Sequence, residues 1–570
     1  MKQVKIKINS ESFSVNKGKT ILAAALENNI EIPHLCWHPD IEPKAKCGMC
    51  IVEVKGKDNF VKACETKISE GMEIFTESKE LEMVRKNNLS ILLENHLLEC
   101  DDCVWFLHCK LLELTKKYGL SPKGKNKATD KIFQVGTIVF DQTKCIGCQN
   151  CVDVCPVGYL EIGNNNKIKL SETKECINCG QCIIHCPVGA IEGVGEFEEL
   201  DNFIKDKDKI TVVQFAPSIR TSIGEEFGMK KGEIVTGQLV AGLKKLGFDY
   251  VFDTALGADF TTIEESDELI KRLKTNKNLP AMSSCCPAWV KFLEFYHPEL
   301  IDNLCTSRSP QVMLGGIVKN YWCHKKNIDP KNVFVVSIMP CVAKKFEIKR
   351  PELEIEGQKP VDCVLTTREL FRLFKKKGID LKNIKPQEAD DPLGNPSGAG
   401  VIYGSSGGVF ESAFRTAYFK MTGRELPKNT IKEIRGVEGI KYKEIGVNGR
   451  LVKICVVNGI KNAKKVIDEI KKNPKDYDAV EVMACPGGCI GGGGQPLPTT
   501  KEIIRKRSGS LYDIDELKEV KSAHQNKKVK KIYNEFFKDE KIRKKILHTK
   551  FLSCQKTKIR ELKNSRQTYE

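Results

Sequence analysis

Residues 144–156 read KCIGCQNCVDVCP, and residues 175–187 repeat the same cysteine spacing as ECINCGQCIIHCP. In each run the four cysteines follow one another at intervals of three, three and four residues, and a proline follows the last. Such a repeat indicates two copies of one structural unit. The chain is 570 residues long with 25 cysteines, an odd number, and most lie in tight groups of this kind. This pattern favours metal ligation over the disulfides of a small secreted scaffold.

The spacing of the two runs is that of bacterial ferredoxins, which hold iron–sulfur clusters. In that pattern the fourth cysteine of each run binds the cluster of the other run. We therefore assign one 4Fe-4S cluster to Cys145, Cys148, Cys151 and Cys186, and a second to Cys176, Cys179, Cys182 and Cys155. A zinc site or a set of structural thiols is the alternative. The runs belong to a predicted domain of residues 138–208.

Residues 1–80 predict a small β-rich domain of the β-grasp, ferredoxin-like kind. Val4, Ile6 and Ile8 alternate as in a strand, residues 20–29 have a helical pattern, and residues 51–54 form another strand. Its connecting segments carry four cysteines: Cys36, Cys47, Cys50 and Cys64. Four such cysteines suit a 2Fe-2S cluster, although their spacing departs from the plant ferredoxin pattern. A zinc ion is the alternative metal for these four cysteines.

Residues 81–137 are helical and charged, and they contain a motif with one cysteine too few for a cluster. The candidate ligands are His96, Cys100, Cys103 and Cys109. A neutral imidazole can supply the missing ligand of a 4Fe-4S cluster. His96 lies one helical turn before Cys100, whereas His108 is adjacent to Cys109 and would strain to reach the same metal. We therefore favour His96, with an ordinary surface or core histidine as the alternative.

Residues 209–500 alternate between strand and helix patterns, which predicts an α/β domain. The predicted strands are 210–215, 250–253, 333–339, 361–365, 453–457 and 479–483. Cysteines follow several strand ends: Cys285 and Cys286, Cys341, and Cys485. Open α/β sheets bind ligands beyond the carboxyl ends of their strands. We expect these separate segments to converge on one buried site.

Three segments of this domain carry a specific resemblance. They are residues 283–289 (SSCCPAW), 339–344 (MPCVAK) and 481–496 (EVMACPGGCIGGGGQP). The last is rich in glycine, which lets backbone approach a bulky group closely, and it lacks the lysine of a phosphate-binding loop. These segments resemble the three signature motifs of the FeFe hydrogenases. The upstream domains resemble the accessory cluster domains of clostridial-type members. Taken together, the resemblance covers residues 1–500 in consistent order, and residues 501–550 resemble the family's C-terminal segment.

The resemblance implies a two-lobed catalytic domain around an active-site cofactor, the H-cluster. This cofactor is a 4Fe-4S cube joined through one cysteine sulfur to a two-iron subsite that carries carbon monoxide, cyanide and a dithiolate amine. The implied ligands are Cys286, Cys341, Cys485 and Cys489, with Cys489 as the bridge. Lys344 would face one cyanide as a charged donor. The remaining implied contacts, for which core packing is the alternative, are Ala216, Pro217, Ser218, Gln311, Met339 and Met483.

The resemblance also implies a path for protons. Cys285 matches the cysteine that exchanges protons with the bridging amine, a task that suits a thiol. Glu265, Glu268 and Arg272 share one face of a predicted helix and match an acidic relay; without the resemblance they would read as a solvated charged face. Cys305 stands where the family normally has serine, and a thiol is the weaker hydrogen-bonding group. We therefore hypothesise reduced turnover, unless neighbouring Thr306 or water substitutes for the missing hydroxyl. A second departure is Tyr403, at a position where the resemblance implies phenylalanine.

The implied activity is the reversible reduction of protons to dihydrogen, with electrons entering from ferredoxin through one 2Fe-2S and three accessory 4Fe-4S clusters. One alternative is the catalytic subunit of a multimeric NAD(P)-linked or electron-bifurcating hydrogenase, which Ala288 and the form of the third motif resemble. Since the chain has no evident flavin or dinucleotide fingerprint, that activity needs partner subunits. A hydrogen sensor or electron carrier without turnover is a second candidate, and a hydrogenase-like assembly factor is a third.

Charge and hydropathy limit which partners and which location we expect for the protein. The formal net charge is +17, and residues 501–570, a predicted helical segment with a basic tail, hold 21 Lys+Arg against 10 Asp+Glu, a difference of +11. A basic surface recruits acidic partners such as ferredoxin, and basic and aromatic residues do not interleave as in a nucleic-acid site. Without a membrane-length apolar run or a secretory signal layout, we expect a cytoplasmic protein, or one of an organellar matrix if a presequence was trimmed. Maturation proteins would build the two-iron subsite.

Overall fold

The computed structural model describes residues 2–94, 96, 100, 109–121, 131–196, 200, 203–206, 208–391, 393–437 and 439–562. Across them, strands gather into five sheets. One sheet lies in the amino-terminal region, two lie in the region of the cysteine repeat, and two four-stranded sheets lie in the α/β region. In the described parts of the chain we find no helix long and apolar enough to cross a membrane.

The amino-terminal sheet has five strands in the order β2-β1-β5-β3-β4. Alternation in β1 buries Val4, Ile6 and Ile8 against the helix that follows, whose first turn is capped by the Thr20 hydroxyl. This arrangement confirms the predicted helix and the predicted strand at residues 51–54. The elements are β1 (Gln3–Ile8), β2 (Glu11–Asn16), the helix Ile21–Glu27, β3 (Ile51–Val54), β4 (Val61–Lys62) and β5 (Glu73–Phe75).

Two helices, Lys79–Glu94 and Lys110–Lys117, lead to the repeat. The repeat region contains β6 (Ile132–Val135), β7 (Ile138–Asp141), the short helix Asn150–Val154, β8 (Leu160–Ile162), β9 (Ile168–Leu170), the short helix Gln181–Ile184 and β10 (Ile191–Gly193). The two short helices begin at equivalent places in the repeat, one residue before its third cysteine. Strand β6 falls within residues 81–137, where the sequence pattern indicated helix and linker. It forms because Ile132–Val135 pairs antiparallel with β7.

The first α/β sheet is entirely parallel, in the order β12-β11-β14-β15. The strands are β11 (Ile210–Phe215), β12 (Tyr250–Asp253), β14 (Val333–Met339) and β15 (Cys363–Thr366). Strand β14 is buried at every residue, as expected for a parallel strand covered on both faces. All four predicted strands exist here, the last shifted by two residues at its start. The associated helices are Thr236–Leu246, Thr254–Thr275, Pro310–Ile317, Cys323–Lys326, Ala343–Glu347 and Thr367–Lys376.

The second α/β sheet has the order β13-β18-β17-β16, with an antiparallel hairpin at its edge. Its strands are β13 (Ala281–Met282), β16 (Ile440–Val447), β17 (Arg450–Asn458) and β18 (Ala479–Met483). The strand predicted at 453–457 is thus longer than expected, because it pairs on both sides. The accompanying helices are Pro287–Tyr296, Gly398–Val401, Gly408–Thr422 and Ile460–Lys472.

The carboxyl-terminal region is helical, as predicted, with helices Lys501–Leu517, Lys527–Glu535 and Glu540–Leu547. It then ends in a strand that the sequence pattern did not predict. This strand, β19 (Ile559–Leu562), pairs antiparallel with β6 and becomes the edge of the sheet β10-β7-β6-β19. The carboxyl-terminal segment therefore pairs with the region of the cysteine repeat through β19.

Candidate active site

A cavity lies where the carboxyl ends of the two α/β sheets face each other, with about 740 Å³ of space not filled by protein atoms, part of it open to solvent. Strands β11 and β14 of the first sheet end at its wall, and so do β13 and β18 of the second. The three signature segments therefore meet at this cavity, as we predicted from the positions of their cysteines after strand ends. The walls include Cys285, Cys286, Cys341, Cys485, Cys489, Lys344, Ala216, Pro217, Ser218, Gln311, Met339 and Met483.

The register of the parallel strands sets these positions. Strand β11 runs beside β14, and Ala216 N–H donates to the Ile338 carbonyl at 2.9 Å, which brings residues 216–218 next to Met339. In the third segment, Gly488 lies so close to the backbone of Ser405 and Ser406 that a side chain would overlap it. Gly488 also has a φ of +93°, a conformation that glycine adopts without strain.

Lys344 is a buried ammonium at the cavity wall. Its Nζ donates to the Cys285 carbonyl and to Glu347 Oε2, both at 2.9 Å. Burial lowers the pKa of Lys344, but the adjacent Glu347 carboxylate outweighs this, and the pKa ends above its ordinary value. The site therefore presents a fixed positive charge. Sequence reasoning missed Glu347, although its place one helical turn after Lys344 was a usable signal.

Two polar atoms of the wall support a bound polar group. Ser218 Oγ and Gln311 Oε1 are buried, and within the described residues neither has a hydrogen-bond partner. Such atoms are costly to bury unless something binds them. The Gln311 amide nitrogen, in contrast, is held by Glu347 at 2.6 Å. Four thiols, an ammonium and the Ser218 hydroxyl around one cavity fit an iron–sulfur group with anionic ligands, whereas the Gln311 oxygen can only accept a hydrogen bond.

A second, smaller cavity is lined by Glu265, Cys305 and Glu481 among others, and by Ser283, two residues before Cys285. Burial raises the pKa of Glu265 to about 8, and nearby Glu268 and Glu481 add to the effect. Ser307 Oγ donates to Glu265 Oε1 at 3.2 Å. Glu265 can therefore hold a proton near neutral pH, where a relay group must gain and lose it.

Glu268 and Arg272 lie at the outer end of this group. Arg272 donates to Glu268, which also accepts from the Thr306 N–H at 2.9 Å and the Thr306 hydroxyl at 3.1 Å. Thr306 thus donates to Glu268 beside Cys305, the position where a serine was expected. Thr306, named from the sequence as a substitute for the expected serine, and Ser307, which sequence reasoning missed, are the hydroxyls that contact its carboxylates.

Each 4Fe-4S assignment of the repeat corresponds to one small cavity. Cys145, Cys148, Cys151 and Cys186 line one, and Cys155, Cys176, Cys179 and Cys182 line the other. The fourth cysteine of each run thus lies with the other run. No three described side chains converge closely enough for a single metal ion, whereas a cluster needs its thiolates spread around a volume.

The two remaining candidate centres lie upstream of the repeat. Cys36, Cys47, Cys50 and Cys64 are all buried, and the Cys36 and Cys47 sulfurs are 3.4 Å apart. His96 is buried, and its Nδ1 lies 2.7 Å from the Lys144 carbonyl oxygen, which leaves Nε2 for another partner. Cys100 and Cys109 are partly buried. Cys103 lies outside the described residues.

Tyr403 also lines the main cavity, at a position where the family resemblance suggested phenylalanine. Its hydroxyl lies 3.0 Å from Thr262 Oγ1, which in turn lies 2.7 Å from Ser412 Oγ. The extra oxygen is therefore satisfied within the protein. It does not require a ligand.

Comparison with protein families agrees with this arrangement. Residues 209–493 match the C-terminal domain of the iron-only hydrogenase large subunit, and residues 501–553 match the iron hydrogenase small subunit. Upstream, residues 1–79 match a 2Fe-2S iron–sulfur cluster binding domain and residues 137–187 a 4Fe-4S dicluster domain.

Individual relatives extend the match to nearly the whole chain. Iron hydrogenase 1 of Clostridium pasteurianum is 39% identical over 93% of this chain and 96% of its own length. The NADP-reducing hydrogenase subunit HndD of Solidesulfovibrio fructosivorans is 36% identical over 94% and 96%. The solved apo FeFe-hydrogenase HydA1 from Chlamydomonas reinhardtii is 36% identical, covers 62% of this chain and 98% of its own, and superposes with a TM-score of 0.56. The chain is therefore a member of the iron-only, or FeFe, hydrogenase family, oxidoreductases that interconvert protons and electrons with dihydrogen.

Proposed function

We propose that this hydrogenase holds its H-cluster in the main cavity and receives electrons from ferredoxin. One observation carries the proposal: Cys286, Cys341, Cys485 and Cys489 surround a cavity that Lys344 and Cys285 also line. When bound, the cluster supplies the two-iron site at which protons and dihydrogen interconvert. The four cysteines would hold it, with Cys489 as the ligand shared with the two-iron site, and residues 216–218, Gln311, Met339 and Met483 would form the surrounding wall.

The chain itself supplies the proton path. Burial raises the pKa of Cys285 well above its ordinary value, so the thiol is protonated at rest, and we propose it as the first proton carrier beside the cluster. We propose that protons then move through Glu265 to Glu268 and Arg272, with Ser307, Thr306 and Cys305 around the carboxylates. Glu347 keeps Lys344 charged and in place.

The electron path consists of the accessory clusters. We propose one 2Fe-2S cluster at Cys36, Cys47, Cys50 and Cys64, and two 4Fe-4S clusters in the cavities of the repeat. A third 4Fe-4S cluster would use His96, Cys100, Cys103 and Cys109. The cluster of Cys155, Cys176, Cys179 and Cys182 is nearest the active site, since the Cys179 carbonyl oxygen lies 3.9 Å from Cys485 Sγ.

Infrared spectroscopy of anaerobically matured protein, combined with hydrogen evolution from reduced methyl viologen, tests the active site. We expect carbonyl and cyanide bands together with turnover that Cys285→Ala abolishes while the bands persist. Cys323→Ala is a matched control, because Cys323 is buried in the core of the first α/β lobe away from the cavity. Absence of the bands after verified maturation would refute the H-cluster assignment.

A second candidate is the catalytic subunit of a multimeric NADP-linked enzyme. The observation that favours it is the similarity to subunit HndD over nearly the full length of both chains. Purification from the native host distinguishes the two. Flavoprotein subunits that remain associated, together with NADPH-dependent evolution, would support the multimer, whereas ferredoxin-dependent evolution by the isolated chain supports the first proposal.

A further inference from the structure

Each run of the repeat has a buried lysine at its first cysteine. Lys167 Nζ donates to the Cys145 carbonyl oxygen at 2.6 Å, and Lys291 Nζ donates to the Cys176 carbonyl oxygen at 2.6 Å. Cys145 and Cys176 occupy equivalent places in the repeat, so the two contacts are equivalent. The two lysines, however, come from different parts of the chain. Lys167 directly precedes β9 in the repeat region, and Lys291 belongs to the helix Pro287–Tyr296 of the α/β region.

Both ammonium groups are held where water does not screen them. Lys291 is 1% exposed and Lys167 4%. Lys167 makes a second bond to the Gln142 carbonyl at 3.1 Å. Lys291 makes further bonds to Asn178 Oδ1 at 3.0 Å and Thr557 Oγ1 at 2.8 Å. A buried charge is costly, so it persists only where such partners satisfy it.

Lys291 also has a carboxylate partner, Glu175, at 2.8 Å. The same carboxylate is also bound by the carboxyl-terminal segment, where Thr557 donates to Oε2 from its N–H at 3.1 Å and to Oε1 from its hydroxyl. The same segment contacts the lysine's helix, since Cys554 N–H donates to the Glu294 carbonyl at 3.2 Å. Beyond Thr557 it continues as β19. The helix that begins after Cys286 and the end of the chain thus jointly fix this charge at Cys176.

We propose that Lys167 and Lys291 each raise the reduction potential of one 4Fe-4S cluster: Lys167 that of the cluster at Cys145, and Lys291 that of the cluster at Cys176. Reduction adds a negative charge to a cluster, and a fixed positive charge in a medium of low dielectric constant stabilises that charge. Cluster potentials respond to local charge and hydrogen bonding in this way. The inference rests on the cluster assignments proposed above.

The test is a redox titration of the full matured chain, monitored by electron paramagnetic resonance, in wild type, Lys167→Met and Lys291→Met. Each substitution should lower the equilibrium constant for reduction of its own cluster by about tenfold or more, which is about 59 mV for one electron. The potential of the other cluster should stay unchanged. Lys167→Arg and Lys291→Arg keep the charge and should keep both potentials near the wild-type values.

Glu175→Gln provides a second measurement if Lys291→Met does not fold. Because it removes the negative partner and leaves Lys291 charged, it should shift the potential of the Cys176 cluster upward and leave the Cys145 cluster unchanged. Unchanged potentials in Lys167→Met, Lys291→Met or Glu175→Gln, shifts opposite in sign to those expected, or equal shifts of both clusters in one of these variants overturn the proposal. Iron content and spectra of the wild type without two such clusters would instead overturn the cluster assignment itself.

Discussion

Cys305 is buried between two carboxylates of the proposed proton path, and burial raises its pKa well above the ordinary value, with Glu268 and Glu265 adding to the effect. It therefore stays a neutral thiol, which donates and accepts hydrogen bonds weakly. Cys305→Ser places a stronger hydrogen-bonding group in the cavity it shares with Glu265. We expect this variant to evolve hydrogen about two- to tenfold faster at saturating reductant, within the range of a single proton-transfer contribution.

The matched control for this prediction is Cys323→Ser, which introduces the same change in a buried core position outside both cavities. It should not increase turnover. Equal or slower evolution by Cys305→Ser at the same cluster content would show that Thr306 and Ser307 already provide the hydroxyl groups that the path requires.

Glu265 gives a prediction for pH. Its pKa is raised to about 8, mainly by burial, so the folded protein keeps this carboxyl protonated below that pH and releases the proton above it. Infrared difference spectra should show a protonated carboxyl band that disappears with a midpoint near pH 8. Glu265→Gln should lack that band. Glu481, whose pKa burial raises to about 7, remains in the variant and serves as the internal reference. A carboxyl spectrum identical in the two proteins would contradict the assignment.

At the scale of elements, the strands of the α/β region could be read from sequence because parallel strands covered on both faces are continuous apolar runs. The strand β14 (Val333–Met339) is such a run, and its bounds were predicted to the residue. The convergence of Cys285, Cys341 and Cys485 also followed, because each comes after a strand and α/β sheets bind ligands beyond the carboxyl ends of their strands.

Other contacts could not be read from sequence, because they join distant segments through tertiary packing. The strand β19 has one basic and one acidic residue and is buried only at Leu562, and it forms because β6 offers an edge for pairing. Lys291 looks like one more surface lysine of an amphipathic helix, and only the packed structure shows its side chain against Cys176. The positions of Ser307 and Glu347 likewise depend on helix packing.

Gly493 and Gly180 join the glycine-rich loop to the repeat region. A Cβ on Gly493 would lie 2.6 Å from Gly180 Cα. Gly493→Ala should therefore force the two regions apart at a cost of about 1–3 kcal/mol, with a lower unfolding midpoint and slower hydrogen evolution. Gly509→Ala is the control, because nothing lies within 4 Å of its Cβ and alanine in a helix interior gains about 0.5–1 kcal/mol. Equal unfolding midpoints in the two variants would refute the close contact.

At the scale of the whole molecule, the cavities lie in the order that electrons would follow. The His38 ring of the amino-terminal region lies 4.6 Å from His185 of the repeat region, and the Gln181 amide donates to the Gly491 carbonyl of the glycine-rich loop at 3.1 Å. Each region therefore contacts the next one directly. The active-site cavity lies between the α/β lobes, and under the electron path proposed above a protein donor delivers its electrons to the accessory regions.

The net charge of +17 then predicts how the donor is recognised. An acidic ferredoxin should be drawn to this chain by long-range attraction, which salt screens as the Debye length falls from about 30 Å at 0.01 M to about 8 Å at 0.15 M. We expect kcat/KM for ferredoxin-driven hydrogen evolution to fall about tenfold over that range. Reduced methyl viologen, a cation, is the control: its rate should stay level or rise, because salt weakens repulsion. A ferredoxin rate indifferent to salt would contradict electrostatic recruitment, and evolution that requires NADPH with a co-purified flavoprotein would favour the multimeric enzyme.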